Sequence, residues 1–116
     1  MREARLHKEV ADFLAVALRP PTFWTTFPAG GGGIVRGRQL KAMGLKSGFP
    51  DLLIIHEGKA FGIELKAPGK YLEPHQREMH AALLLAGMPV YTARSKEEIT
   101  YALETWAIPH FAKVAA

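Results

Sequence analysis

Two carboxylates and one ammonium group lie in two short apolar segments of this chain. Asp51 comes directly before the apolar run 52–55, and Glu64 and Lys66 lie at the end of a second run, 60–65. A buried charge costs free energy unless it is paired or binds an ion. Carboxylate oxygens are the ligands that Mg²⁺ and Mn²⁺ prefer. The residue types therefore indicate a divalent-cation site with a lysine beside it.

The spacing of these residues predicts that the two carboxylates face each other. The two runs read as a β-hairpin with its turn at Glu57-Gly58, and a symmetric hairpin places Asp51 opposite Glu64. Opposed residues hold their Cβ atoms about 4.5–5.5 Å apart, and Lys66 projects from the same face as Glu64. Two carboxylates at that distance repel by roughly 3 kcal/mol at an effective dielectric constant of about 20, which a bound cation would offset. The alternative is a charged sheet edge with a fortuitous ion pair.

The rest of the chain predicts an αβββαβα order of elements in an α/β domain. Pro20-Pro21 ends the first helix, Pro74 begins a later one, and Ser95 to Glu98 forms a capping box for the last. The length of 116 residues predicts one domain, 1–116. The predicted elements are a helix at 2–18, a strand at 22–27, a short helix at 39–43, hairpin strands at 52–56 and 60–66, a helix at 74–86, a strand at 89–93 and a helix at 96–106.

Composition narrows the classes of function. The formal net charge of +4 and the pI near 9.6 favour a polyanionic partner. The absence of cysteine excludes disulfides and thiolate metal sites and favours the cytoplasm. No apolar run reaches the length of a membrane span, so no membrane partner is expected.

Pro50-Asp51 followed by Glu64-Leu65-Lys66 resembles the signature of PD-(D/E)XK nucleases. The surrounding segments narrow the resemblance to the VRR-NUC (virus-type replication-repair nuclease) domain, from Glu3 to about Trp106. This resemblance implies a restriction-endonuclease-like core, with a central mixed sheet flanked by helices. A stand-alone copy of this size is similar to those that phages and prophages encode, which implies the cytoplasm of a bacterial host. The segments that carry it are 46–52, 64–72, Pro74 with Gln76, and 86–90.

The resemblance implies an Mg²⁺- or Mn²⁺-dependent phosphodiesterase. Asp51, Glu64 and the backbone carbonyl of Leu65 would hold the metal, which acts as a Lewis acid. Lys66 would orient or help to deprotonate the attacking water and stabilise charge on the phosphoryl group.

Glu3 is a further catalytic and metal-ligand candidate. It lies about 40° from the centre of the apolar stripe of the first helix, and Glu9, the second choice, lies about 80° away. The helix-borne glutamate of the family falls at Glu3. The alternative is a first-turn glutamate that the helix macrodipole favours.

Gln76 is the last catalytic candidate. It shares a helix face with Met79, His80 and Leu83, and the family has a glutamine at this place near its active site. A capping or surface glutamine is the alternative. The five histidines are scattered along the chain and are not expected to form a site.

Basic residues upstream and downstream of the motif are candidates for DNA contact, with ordinary solvated surface as the alternative. The glycine-rich segment 28–33 reads as a flap near DNA, although Ala29 stands where many family members have asparagine. The candidates are Arg36, Arg38, Lys41, Lys46, Lys70 and Tyr71.

The function predicted from these residues is a structure-selective endodeoxyribonuclease. Stand-alone members of the family are similar to Holliday-junction resolvases and act as homodimers, so cleavage of four-way junctions is the leading activity. A nuclease of flap, nick or restriction-like specificity is one alternative, and a catalytically silent DNA-binding subunit is the other.

Overall fold

The computed structural model describes residues 2–27 and 33–111, which carry four helices and four strands. The predicted order of elements is confirmed, and most boundaries fall within two residues of those predicted. The elements are α1 (Arg2–Ala17), β1 (Phe23–Thr26), α2 (Gly33–Ala42), β2 (Leu52–His56), β3 (Lys59–Leu65), α3 (Pro74–Leu85), β4 (Val90–Ala93) and α4 (Lys96–Thr105).

The strands form one mixed sheet in the order β1-β2-β3-β4, as the α/β prediction requires. The first two pairings are antiparallel, and β4 joins β3 in parallel. The turn of the hairpin is Glu57-Gly58, and both residues have positive φ (53° and 79°), which a two-residue type I′ turn requires. Leu52 pairs with Ile63, so the next position along the register brings Asp51 opposite Glu64.

One face of the sheet carries the hydrophobic core. Alternate side chains of β2 and β3 point to this face and are almost completely buried. Helices α1 and α4 cover them, and burying each such aliphatic side chain contributes about 1.5–3 kcal/mol. The packing fixes α1 against β3. The core side chains are Leu6, Val10 and Leu14 of α1, Leu52 and Ile54 of β2, Phe61, Ile63 and Leu65 of β3, and Ile99 and Leu103 of α4.

The opposite face of the sheet holds Glu64 and is approached by α3 and by the loop before β2. Gly62 lies on this face, where a Cβ atom would come within 2.9 Å of Pro50 Cγ and Met88 Cε. Gly48 has φ +90°, and a Cβ atom there would lie 2.7 Å from the carbonyl oxygen of His75. These two close approaches hold the loop before Asp51 against β3 and against the start of α3.

Helix α2 differs most from the prediction. It spans ten residues, Gly33–Ala42, where a short helix was predicted from Gln39, and it buries no side chain. Without a buried face, its sequence lacks the apolar periodicity from which a helix is predicted. Residues 28–32 of the predicted flap lie outside the described residues. Within residues 2–27 and 33–111, no helix is both long and apolar enough to cross a membrane.

Candidate active site

Asp51 and Glu64 form the centre of the site. Glu64 lies on β3 and is only 3% exposed, which is exceptional for a carboxylate. Asp51 lies immediately before β2, and its Oδ2 accepts a hydrogen bond of 2.8 Å from the backbone amide of Leu65. Because that amide follows Glu64 directly, the bond holds the two carboxylates together.

Gln76 connects the first turn of α3 to this pair. Its Oε1 accepts a hydrogen bond of 2.8 Å from the backbone amide of Glu73, the N-cap residue of α3. Its Nε2 donates to Glu64 Oε2 at 3.2 Å. The capping role and the active-site position considered for this residue are therefore both present in the structure.

Glu3 and Lys66 also lie at the site. Glu3 Oε2 accepts a hydrogen bond of 3.3 Å from the backbone amide of Ala67, just past the end of β3. The positive charge of Lys66 acts on Glu64 directly, and so does the negative charge of Glu3. Glu9 is exposed on α1. The structure thus places Glu3, rather than Glu9, near the carboxylate pair.

Two of the five histidines, none of which was predicted to belong to a site, lie beside the carboxylate pair. His7 Nε2 is 3.8 Å from Asp51 Oδ2, and His80 Nε2 is 3.5 Å from Glu64 Oε1. His7 follows Glu3 by four residues and His80 follows Gln76 by four. Residues four apart share a helix face. This spacing was the signal in the sequence that could have identified them.

The pKa of Glu64 reflects its burial and the nearby charges. Burial and, next, the negative charge of Asp51 raise the pKa of Glu64 from its ordinary value of 4.5 to about 8, against the opposing effect of Lys66. Burial lowers the pKa of His80 from its ordinary value of 6.5, which disfavours the charged imidazolium beside Glu64. Within residues 2–27 and 33–111, Glu64 Oε1 and His80 Nε2 are both buried without a hydrogen-bond partner.

An unpartnered buried carboxylate oxygen fits a site for a cation. Within the described residues, no three acidic or histidine side chains form a group that could hold a metal ion by themselves. Mg²⁺ does not require one, because it is usually bound by one or two carboxylates with waters and substrate phosphates. Asp51 and Glu64, with the carbonyl of Leu65, fit that requirement. The assignment of Glu3 as a further ligand stays a prediction.

The six residues predicted to contact DNA lie on two segments of the chain. Arg36, Arg38 and Lys41 are exposed on α2, and Lys46 is exposed in the loop that follows it. Lys70 and Tyr71 lie beyond β3, where Arg94 contacts both. Arg94 Nη2 donates to the Lys70 carbonyl at 2.6 Å, and its guanidinium carbon is 5.7 Å from the centroid of the Tyr71 ring. Arg94, which follows β4, was not predicted from the sequence.

Comparison with known proteins gives the fold its name. No protein-family profile matches the chain, and no curated protein matches it either. A solved structure described as "VRR_NUC domain protein" superposes with a TM-score of 0.74 over 91% of this chain and 88% of its own, at 20% sequence identity. The chain has the VRR-NUC fold. A second structure, described as "VRR_NUC domain", superposes with a TM-score of 0.60 over 91% of this chain and 98% of its own, at 21% identity.

The VRR-NUC fold confirms the architecture that the sequence resemblance implied. The mixed sheet with helices on both faces is the predicted α/β core, and the hairpin brings Asp51 and Glu64 together at its open end. The metal, the DNA substrate and the dimer stay predictions.

The raised pKa of Glu64 predicts how stability depends on pH. In a metal-free buffer, its proton stabilises the folded state fully below pH 4.5, and this contribution is lost as the pH rises through about 8. The loss is on the order of a few kcal/mol, since one pKa unit corresponds to about 1.4 kcal/mol. Urea unfolding between pH 5.5 and 8.5 should show a weaker pH dependence for Glu64→Gln than for the parent protein.

Glu9→Gln is the matched control for this measurement, because Glu9 is exposed on α1. It should leave the pH dependence of the free energy of unfolding unchanged. Equal pH dependence in the parent protein and in Glu64→Gln would contradict the raised pKa.

Proposed function

We propose that this protein is a metal-dependent endonuclease that hydrolyses phosphodiester bonds in DNA. The observation that carries the proposal is the pairing of half-buried Asp51 with buried Glu64, whose Oε1 has no hydrogen-bond partner among the described residues, while the charge of Lys66 acts on the same carboxyl group. The two structures described as VRR_NUC domains support it, because the fold is theirs. The net charge of +4 suits a polyanionic substrate.

Each residue of the site has its own role in the proposed reaction. Asp51, Glu64 and the carbonyl of Leu65 would hold Mg²⁺ or Mn²⁺, which when bound supplies Lewis-acid stabilisation of phosphoryl and leaving-group oxygens. Lys66 orients the attacking water and stabilises negative charge that develops on the phosphoryl group. Gln76 holds the Glu64 carboxylate in place through its hydrogen bond to Oε2.

The four-way junction is the substrate we propose first. A two-fold dimer of this chain would present two equivalent sites, as symmetric cleavage of a junction requires. The exposed cations of α2 suit contacts to the DNA backbone, which position a protein without reading sequence. A flap, nick or restriction-like nuclease would use the same site on another DNA shape.

Cleavage assays with defined DNAs test the proposal. End-labelled four-way junctions, flaps, nicked duplexes and linear duplexes are incubated with the protein in Mg²⁺, Mn²⁺ or EDTA. We expect scission in either metal and none in EDTA, with symmetric cuts in the junction. Faster scission of flaps or nicked duplexes would show that this DNA, and not the four-way junction, is the preferred substrate. Binding of junctions without scission in any metal would contradict the nuclease and favour a silent DNA-binding subunit.

A further inference from the structure

An apolar pocket of about 280 Å³ lies beside the loop that leads to Asp51. Two of its walls are the rings of Phe27 and Phe49, which meet edge to face with their centroids 5.2 Å apart and their planes at 88°. Phe27 is 41% exposed and Phe49 is 36% exposed, so the pocket opens to solvent. The described residues that line it are Phe27, Gly44, Leu45, Lys46 and Phe49.

The residues that line the pocket are close to Asp51 along the backbone. Phe49 precedes Asp51 by two residues, a distance that even an extended chain spans in about 7 Å. On the other wall, the backbone amide of Phe27 donates a hydrogen bond of 3.0 Å to the carbonyl oxygen of Asp51. A molecule in the pocket would therefore lie beside the backbone segment 49–51 that carries Asp51.

The chemistry of the pocket suits a flat aromatic ring carried on an anionic chain. Its walls are two aromatic rings and Leu45, and the one charged lining residue among those described is Lys46. Along the chain the pocket residues 44–46 follow α2, which carries the exposed cations Arg36, Arg38 and Lys41. A volume just below the range of drug-sized sites, about 300–1,000 Å³, fits a single ring system. An apolar protein side chain would satisfy the walls but would offer no negative charge to Lys46.

We propose that this pocket binds one unpaired nucleobase of the DNA substrate. The base stacks on Phe49 or Phe27, and Lys46 contacts a neighbouring phosphate. The site would then select DNA in which a base next to the cleaved phosphodiester is unpaired or can be extruded from the duplex. This inference rests on the proposed function, since it concerns the substrate of the same site.

A scan with abasic nucleotides tests the pocket without altering the protein. DNA with a single-stranded arm is prepared as a series in which one abasic nucleotide occupies each successive position near the branch point. Binding is measured in EDTA, so that the result does not depend on cleavage. We expect one position at which loss of the base weakens binding by between about fivefold and 100-fold. Equal binding along the whole series would overturn the proposal.

Variants then assign the effect to the pocket. Phe49→Ala should remove the difference between intact and abasic DNA, and Phe49→Tyr should keep it. Phe23→Ala is the matched control, because Phe23 is an exposed aromatic residue of β1 outside the pocket. If Phe49→Ala keeps the difference in binding between intact and abasic DNA, the pocket does not bind a base. The same conclusion holds if the substitution also dissociates a dimer while that difference persists.

The outcomes also separate this inference from the nuclease. Metal-dependent cleavage together with equal binding of all the abasic DNAs would support the proposed nuclease and contradict base binding in the pocket. An abasic effect that Phe49→Ala removes, without cleavage of any DNA, would support the pocket and contradict the nuclease.

Discussion

Asp51→Asn and Lys66→Ala are each expected to lower the rate of DNA cleavage by at least about 100-fold while binding of four-way junctions changes little. In Asp51→Asn, the amide side chain would retain an oxygen that can accept the hydrogen bond from the Leu65 amide, so the hairpin should keep its geometry. The substitution would remove one of the two carboxylates that are proposed to hold the metal. Lys66→Ala removes the nearby positive charge that opposes the raised pKa of Glu64.

Single-turnover cleavage of labelled DNA measures these rates, and binding is measured by gel shift in EDTA. Asp12→Asn and Lys59→Ala are the matched controls, because both residues lie outside the site, on the surface of α1 and at the start of β3. The controls should cleave at the parental rate. Parental cleavage by Asp51→Asn or by Lys66→Ala would refute the assigned roles.

Gly48→Ala is expected to destabilise the protein by roughly 2–4 kcal/mol, from backbone strain and a steric clash together. Gly48 has φ +90°, which side-chain-bearing residues rarely adopt, and the added Cβ atom would lie 2.7 Å from the His75 carbonyl oxygen. Relief of that clash has to move the loop or the start of α3. Because Gln76 follows His75, we also expect a lower cleavage rate.

Gly44→Ala separates the two contributions. Gly44 has φ +105°, but no atom of the described residues lies within 4 Å of a Cβ atom placed there. Gly44→Ala should therefore be destabilised by backbone strain alone, by about 1–2 kcal/mol. Urea unfolding of both variants gives the difference in free energy of unfolding. Equal destabilisation of the two variants would mean that the contact between Gly48 and His75 does not constrain the fold.

The parts of the site that lie on one hairpin were predictable from the sequence. A two-residue turn fixes the pairing of its strands, so locating Glu57-Gly58 was enough to place Asp51 opposite Glu64. The helices with capping residues or a buried stripe were also predictable. The limits of α2 were not, because that helix buries no side chain and its sequence therefore carries no signal of a packed face.

The contacts between distant segments were harder to predict. His80 and Arg94 lie near their partners because α3 and β4 are packed beside β3. That packing cannot be predicted from the pattern of a single sequence. The close approach of Gly48 to His75 is of the same kind. Gln76 shows that two interpretations of one residue need not compete, since its two amide atoms serve the helix cap and Glu64 at once.

The two hydrogen bonds of Gln76 have a mechanical consequence. They link the backbone at Glu73 to the carboxylate of Glu64 through a single planar amide. Because that amide is rigid, a shift of the start of α3 should displace the Glu64 carboxylate by a similar amount. Substitutions in the loop that enters α3 should therefore alter the geometry of Glu64 even when they leave the hairpin untouched. The segment 72–76 is in this sense part of the support of the acidic pair.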